Sequence, residues 1–110
     1  MKSRVVVRRY QAGKRDFTRV RLRRAELRGA NPRGIDLSWA YLREADLSEA
    51  NLVGANLMGS DMIGVDLRDA NPDGVDLCGA NLYKAEVTNA QLAQAKSLKY
   101  AILPDGTRHK

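Results

Sequence analysis

The chain has 110 residues, so one domain is expected, and its composition of 44% hydrophobic but only 5% aromatic residues leaves Leu and Ala to build the core. The net charge of +6 is unevenly divided: residues 1–33 carry twelve Lys and Arg against two acids, residues 34–94 three against ten, and residues 95–110 four against one. A single Cys excludes an internal disulfide framework, and no apolar run approaches the roughly 18 residues of a membrane span, so we expect a cytoplasmic protein without a membrane partner.

Residues 1–14 are predicted to form an N-terminal cap. Three consecutive Val residues, Val5 to Val7, favour a strand, whereas Gly13 suits the C-terminal end of a helix. Both alternatives stay open, and Val5–Val7 is too short for a signal-peptide core. Either form would cover apolar residues and strand edges at the N-terminal end of residues 15–94.

Residues 15–94 repeat a five-residue phrase sixteen times without an insertion: a small residue, Asp or Asn, Leu, and two looser positions. We call the Leu position the centre. Successive centres would rotate by about 140° on a helix and alternate between faces on a long strand, so neither structure fits. Each repeat is therefore predicted to be a short extended piece followed by a corner, with the centre and the residue two before it facing inward. Apart from Pro32 and Pro72, the predicted core centres are Phe17, Leu22, Leu27, Leu37, Leu42, Leu47, Leu52, Leu57, Met62, Leu67, Leu77, Leu82, Val87 and Leu92.

Two further patterns support corners and a longer period. Seven of the nine Gly residues lie two positions after a centre, where a tight turn favours glycine. The segment Ala30–Leu37 recurs forty residues later as Ala70–Leu77, which is compatible with a coil of twenty residues. Ser60 falls at an inward position, so its hydroxyl needs a main-chain partner.

The phrase A(D/N)LxxA(D/N)Lxx over residues 15–94 resembles the pentapeptide-repeat family, as do the flanks Arg8–Phe17 and Ala101–Thr107. The resemblance implies an all-β fold, a right-handed quadrilateral β-helix of about four coils with short N- and C-terminal caps. Arg15 departs from the pattern at an inward position, and a buried unpaired Arg is costly. Regular packing is therefore expected to begin near Phe17 or Val20.

With four repeats per coil, residues twenty apart stack. This predicts an amide ladder of Asn31, Asn51, Asn71 and Gln91. It also predicts a stack of like charges, offset by Arg28 and Arg68, made of Glu26, Asp46, Asp66 and Glu86. Residues 95–110 are predicted to form a C-terminal cap and tail. Leu98 takes over the apolar role, Leu98, Tyr100, Ile102 and Leu103 cap the end, and residues 107–110 fray.

The sequence predicts no enzyme, and no catalytic, metal-binding or cofactor-binding residues. The one His, His109, lies in the tail, and Cys78 faces outward with no His nearby to activate it. The Gly residues are spaced for corners and not for a phosphate-binding loop.

Two outward surfaces are candidates for contact with a partner. The coil-one arginine surface consists of Arg19, Arg21, Arg23, Arg24, Arg28 and Arg33. The aromatic surface consists of Trp39, Tyr41, Met58, Ile63 and Tyr83, with Cys78 beside them. The leading hypothesis is a non-enzymatic protein-interaction or structural module with a protein partner, present as a monomer or weak homodimer.

Two alternatives are less favoured. The resemblance implies a DNA-mimicking modulator of gyrase, but such family members are longer, dimeric and strongly acidic. Nucleic-acid binding through the first coil lacks the interleaved aromatic residues that stack on bases.

Overall fold

The structure, a computed structural model, describes residues 2–110, so Met1 of the predicted N-terminal cap lies outside the described residues. Its repeating part is held by parallel bridges between residues twenty apart, such as Asp16 and Asp36. Four five-residue repeats therefore make one coil, and coils one to four begin at residues 15, 35, 55 and 75. Main-chain hydrogen bonds join neighbouring coils, as where the Leu42 N–H donates to the Asp61 carbonyl at 2.8 Å.

The extended parts of the repeats are single-residue bridges, and residues 2–110 contain no longer strand. Two helices flank or interrupt the coils: α1 spans Ser3–Gln11 and α2 spans Asn89–Leu92. The whole molecule measures 37 × 23 × 23 Å, which is the shape of a short rod.

Each repeat turns at the second residue after its centre. The turn is closed by a hydrogen bond to the carbonyl of the centre, as from the Ala45 N–H to Leu42 at 2.9 Å. The corner residue has a φ between 58° and 71° in every repeat centred from Phe17 to Leu82, as in a type II turn. Glycine fills half of these corners, as predicted. The other half are Arg19, Arg24, Trp39, Glu44, Glu49, Asp69 and Lys84.

In ten repeats, the Asp or Asn before the centre stabilises this turn from within the repeat. The side-chain oxygens of Asn51 and Asn71 accept the N–H groups of Val53 and Asp73, each at 3.1 Å. A parallel bridge stacks Asn51 on Asn71, as the predicted amide ladder requires, but the hydrogen bonds of their side-chain oxygens run to the main chain of their own repeats and not along a ladder. The same bond is made by Asp16, Asp36, Asp46, Asn56, Asp61, Asp66, Asp76 and Asn81.

The core runs along the axis of the coils. Among the fourteen core centres predicted from the sequence, all are buried except Val87, which is half-buried just before α2. Leu57, in the middle of the array, is 1% exposed. Ser60 also points inward, and its hydroxyl donates to the Leu57 carbonyl at 2.7 Å, which supplies the partner that burial requires.

Helix α1 covers the open end of coil one and buries Val6 against it. The helix ends at Gln11, and Gly13, two residues on, has a φ of 103°. The Gly13 N–H donates to Tyr10 and the Lys14 N–H to Arg9, at 2.9 and 3.0 Å, which is the bond pattern of a Schellman motif. Between the two alternatives for this segment, the helix forms, because the glycine stop outweighs the strand preference of the Val residues.

Helix α2 stands where the sixteenth repeat was predicted. The Thr88 hydroxyl accepts the Gln91 N–H at 3.0 Å, and Gln91 Oε1 accepts the Thr88 N–H at 2.9 Å, which forms a capping box. The next bridge joins Asp76 to Ser97, so this coil contains twenty-one residues. The extra residue moves the centre to Leu98, as the sequence predicted.

The C-terminal tail pairs with the last coil, so the prediction that it frays is wrong. Arg108 forms an antiparallel bridge with Ile102, and the His109 N–H donates to the Ala101 carbonyl at 2.7 Å. The turn at residues 104–106 reverses the chain and makes this pairing available.

Candidate interaction surfaces

Glutamates of coil two partly neutralise the coil-one arginine surface. Arg23 Nη2 and Arg24 Nε lie 3.7 and 3.5 Å from Glu44 Oε1, and Arg28 Nη2 lies 2.6 Å from Glu49 Oε2. Each glutamate occupies a corner of coil two and meets an arginine of the coil before it. All five side chains are about half exposed or more, so each pair contributes roughly 0–1 kcal/mol. The pairs nevertheless lower the positive charge available to another molecule.

The other three arginines of this surface are exposed. The Arg21 guanidinium lies 5.8 Å from the centroid of the Tyr41 ring, within the range of a cation–π contact. The Arg33 carbonyl accepts a hydrogen bond from the Tyr10 hydroxyl, which ties coil one to α1. Within residues 2–110, the side chains of Arg19 and Arg33 form no ion pair. Their two charges are therefore the unpaired part of this surface.

Bridges stack the predicted acidic residues Glu26, Asp46, Asp66 and Glu86 on one side of the coils. Arg68 offsets their repulsion, with Nη2 at 2.7 Å from Asp66 and Nε at 3.0 Å from Glu86. The hydrogen bonds from Arg68 lower the pKa of Asp66, and the same bonds raise the pKa of Arg68. The described part of the chain contains no group of three His, Cys, Asp or Glu residues arranged to hold a metal ion.

The aromatic surface covers two adjoining corners and the side between them. The register places Trp39 and Met58 at one corner, Ile63 and Tyr83 at the next, and Tyr41 on the intervening side. Trp39, Tyr41 and Tyr83 are 51%, 49% and 41% exposed, whereas Met58 and Ile63 are half-buried. The coils therefore bring all five residues of this surface to one region.

The Trp39 indole lies over Gly59 of the next coil. A Cβ atom at Gly59 would lie 2.4 Å from Cε3 and Cζ3 of the indole, so the contact requires a glycine. Trp39 itself has a φ of 59°, a left-handed conformation that a bulky side chain adopts only at an energetic cost. Packing on Gly59 offsets that cost, but half of the indole side chain stays exposed and available for contact with another molecule.

Comparison with known families agrees with this geometry. The sequence profile of pentapeptide repeats matches the chain in eight copies, over residues 35–71 and 60–96. The chain belongs to the pentapeptide-repeat family. Among curated proteins, none matches this pentapeptide-repeat chain in sequence.

Two solved structures are similar to this pentapeptide-repeat chain. HetL, a pentapeptide repeat protein involved in heterocyst differentiation regulation from the cyanobacterium Nostoc sp. strain PCC 7120, is 32% identical with a TM-score of 0.51 over 92% of this chain and 42% of HetL. A pentapeptide repeat protein from the Arabidopsis thaliana thylakoid lumen is 26% identical with a TM-score of 0.50, over 80% of this chain and 61% of that protein. This chain therefore spans less than two thirds of the length of either protein. Within residues 2–110, no helix is long and apolar enough to cross a bilayer.

The sequence predicted that Tyr100 helps to cap the C-terminal end of this pentapeptide-repeat array, but the structure leaves its side chain exposed. It is 52% exposed and has a φ of 65°. At nearly every corner, the N–H of the corner residue donates to the carbonyl of the residue just before the equivalent corner of the next coil, and the Gly79 N–H donates to the Lys99 carbonyl. Tyr100 therefore lies at the same corner of the coils as Trp39, Gly59 and Gly79. The extra residue in α2 hides this relation in the sequence, and counting corners from Leu98 would have revealed it.

Proposed function

We propose that this pentapeptide-repeat chain is a non-enzymatic protein-interaction module, in which the aromatic surface binds a protein partner. The proposed scaffold is a right-handed quadrilateral β-helix over residues 15–94, closed by caps at residues 1–14 and 95–110. Parallel bridges between residues twenty apart support this scaffold, because they require four repeats in each coil.

The observation that carries the proposal is the conformation and exposure of Trp39. A left-handed φ costs an L-residue about 1–2 kcal/mol, and glycine avoids this cost at half of the equivalent corners. Tryptophan is enriched in the buried centres of protein interfaces. A partner that covered the exposed half of Trp39 would supply the burial that the isolated chain lacks.

The coil-one arginine surface is the weaker candidate. Nucleic-acid binding depends on cations that neutralise phosphates, and Arg23, Arg24 and Arg28 are already paired with glutamates. DNA mimicry toward gyrase depends on an acidic surface, and Arg68 offsets the stacked acids here. No contact among the described residues favours either alternative over a protein partner.

The proposal can be tested by replacing Trp39 with Gly and comparing it with Asp69→Gly. Both positions are corners, with φ values of 59° and 61°, so both substitutions relieve the same backbone strain. Only Trp39→Gly removes the aromatic ring. In affinity capture from native extract, proteins retained by the unmodified chain and by Asp69→Gly should be lost with Trp39→Gly. Equal retention by all three chains would refute the aromatic surface.

Self-association and location need separate measurements. We expect a monomer or weak homodimer, and sedimentation velocity of the same three chains distinguishes self-contact through Trp39 from contact with a different protein.

We also propose a cytoplasmic location, which fits a chain with one Cys. Cell fractionation tests this, and recovery of the chain from a thylakoid lumen fraction would refute it.

A further inference from the structure

An apolar cavity of about 160 Å³ lies between α1 and the open end of coil one. Val6 and Val7 line it from the helix, Leu22 and Leu27 from coil one, and Leu37 from coil two. Within the array, the inward side chains of one coil fill the space above the next. At this end the covering side chains are short valines on a helix, and the space that they leave unfilled borders Val7, Tyr10, Ala30 and Pro32, whereas Leu22 and Leu37 are each only 1% exposed.

One wall of the cavity is Tyr10, whose ring is held by two contacts. The Tyr10 hydroxyl donates to the Arg33 carbonyl, and the Arg15 guanidinium lies 3.9 Å from the centroid of the ring. Arg15 Nη1 also donates to the Tyr10 carbonyl at 2.9 Å. The ring therefore cannot rotate into the cavity without breaking these contacts, and the cavity keeps its volume.

The chemistry of the lining favours an apolar occupant over water. Residues 2–110 hold no buried side-chain nitrogen or oxygen that lacks a hydrogen-bond partner, so a water molecule would find no unpaired group of that kind here. Apolar cavities of about 150 Å³ stay dry and bind benzene or xenon. The polar side chains at the rim, Gln11 and Asn31, are exposed to solvent and leave the lining itself apolar.

We propose that the cavity beneath α1 is a binding site for a small apolar ring molecule of the size of benzene or toluene. The occupant contacts Val7 and Tyr10 on one side and Leu27 and Ala30 on the other, and so fastens α1 onto coil one. This site is separate from the aromatic surface, and it is independent of the proposed protein partner.

Benzene is the probe for the first test, with the full chain labelled at its methyl groups for NMR. The methyl resonances of Val7, Leu27 and Ala30 should shift and saturate with benzene, while those of Leu57 stay in place. The midpoint of thermal unfolding should rise with benzene concentration. No shift up to the solubility limit of benzene, or equal shifts at Leu57, would overturn the proposal.

Two substitutions fill the cavity from opposite sides, and a third serves as the control. Ala30→Ile extends from coil one, where the equivalent inward position of the next repeat already holds Ile35, and Val7→Leu extends from α1. Val5→Leu makes the same change in the same helix but does not line the cavity. Both filling variants should bind benzene at least about tenfold more weakly, while Val5→Leu binds it as the unmodified chain does. Unweakened binding by a folded filling variant would refute the site, and the methyl-shift map decides the question if neither variant folds.

Discussion

Replacing Gly59 with Ala is expected to destabilise the fold through two separable effects. The φ of 65° at this corner costs an L-residue about 1–2 kcal/mol. The added Cβ would also lie 2.4 Å from the Trp39 indole, so the ring must leave its place on coil three. A fully buried Trp is worth about 3–5 kcal/mol, and a half-exposed one about half of that, so the two effects together should cost about 2.5–4.5 kcal/mol.

Gly54→Ala is the matched control for this prediction. Its φ is 69°, and no atom lies within 4 Å of the added Cβ, so only the backbone effect of about 1–2 kcal/mol applies. Urea unfolding followed by circular dichroism measures both, and Trp39→Gly completes a double-mutant cycle with Gly59→Ala. Without the indole, Gly59→Ala should cost no more than Gly54→Ala. Equal costs for the two alanine variants in the presence of Trp39 would show that the indole does not lie over Gly59.

Three further predictions concern the core, α2 and the acidic stack. Leu57→Ala should cost about 2–5 kcal/mol in urea unfolding, and an unchanged midpoint would contradict the inward placement of the centres. Thr88→Ala removes the capping box and should cost about 0.5–2 kcal/mol with faster amide exchange in α2, whereas unchanged exchange would contradict the cap. Because Arg68 lowers the folded-state pKa of Asp66, this carboxylate stabilises the fold above its unfolded-state pKa, and the contribution disappears as the pH falls through the folded-state pKa. Asp66→Asn should therefore be less stable than the unmodified chain near pH 7 and match it in acid, and a pH-independent difference would contradict this reasoning.

The period of five predicted the inward positions well, because a regular array leaves each centre only one side to face. It failed where a local interaction competed with the register. The phrase from Thr88 to Gln91 contains the Thr-x-x-Gln signature of a capping box, which would have predicted a helix in place of the sixteenth repeat. The pairing of Arg108 with Ile102 depends on the path of the chain after a turn, and no residue pattern in the tail predicts it.

The sequence predicted which residues of the two surfaces face outward but not what they contact. Arg28 and Glu49 meet because an arginine one position after a centre reaches the corner residue of the next coil, twenty-one residues on. That offset follows from the coil geometry and could be applied to any such pair. The cavity beneath α1 could not be predicted, since its volume depends on how the helix settles against Leu22 and Leu27.

The corner residue affects both the stability of the fold, through its left-handed φ, and any contact with a partner, through its outward side chain. Glycine would adopt the left-handed φ of every corner without strain. Any other residue there lowers the stability of the array by about 1–2 kcal/mol unless its side chain makes a stabilising contact. Arg24, Glu44 and Glu49 recover roughly 0–1 kcal/mol through exposed ion pairs. Trp39 recovers about 1.5–2.5 kcal/mol by packing on Gly59, which is enough to offset the strain at its corner, and it leaves the other half of a large apolar side chain in water. Because that exposed half adds nothing to the stability of the isolated fold, a protein surface that covers Trp39 is the simplest way to complete its packing.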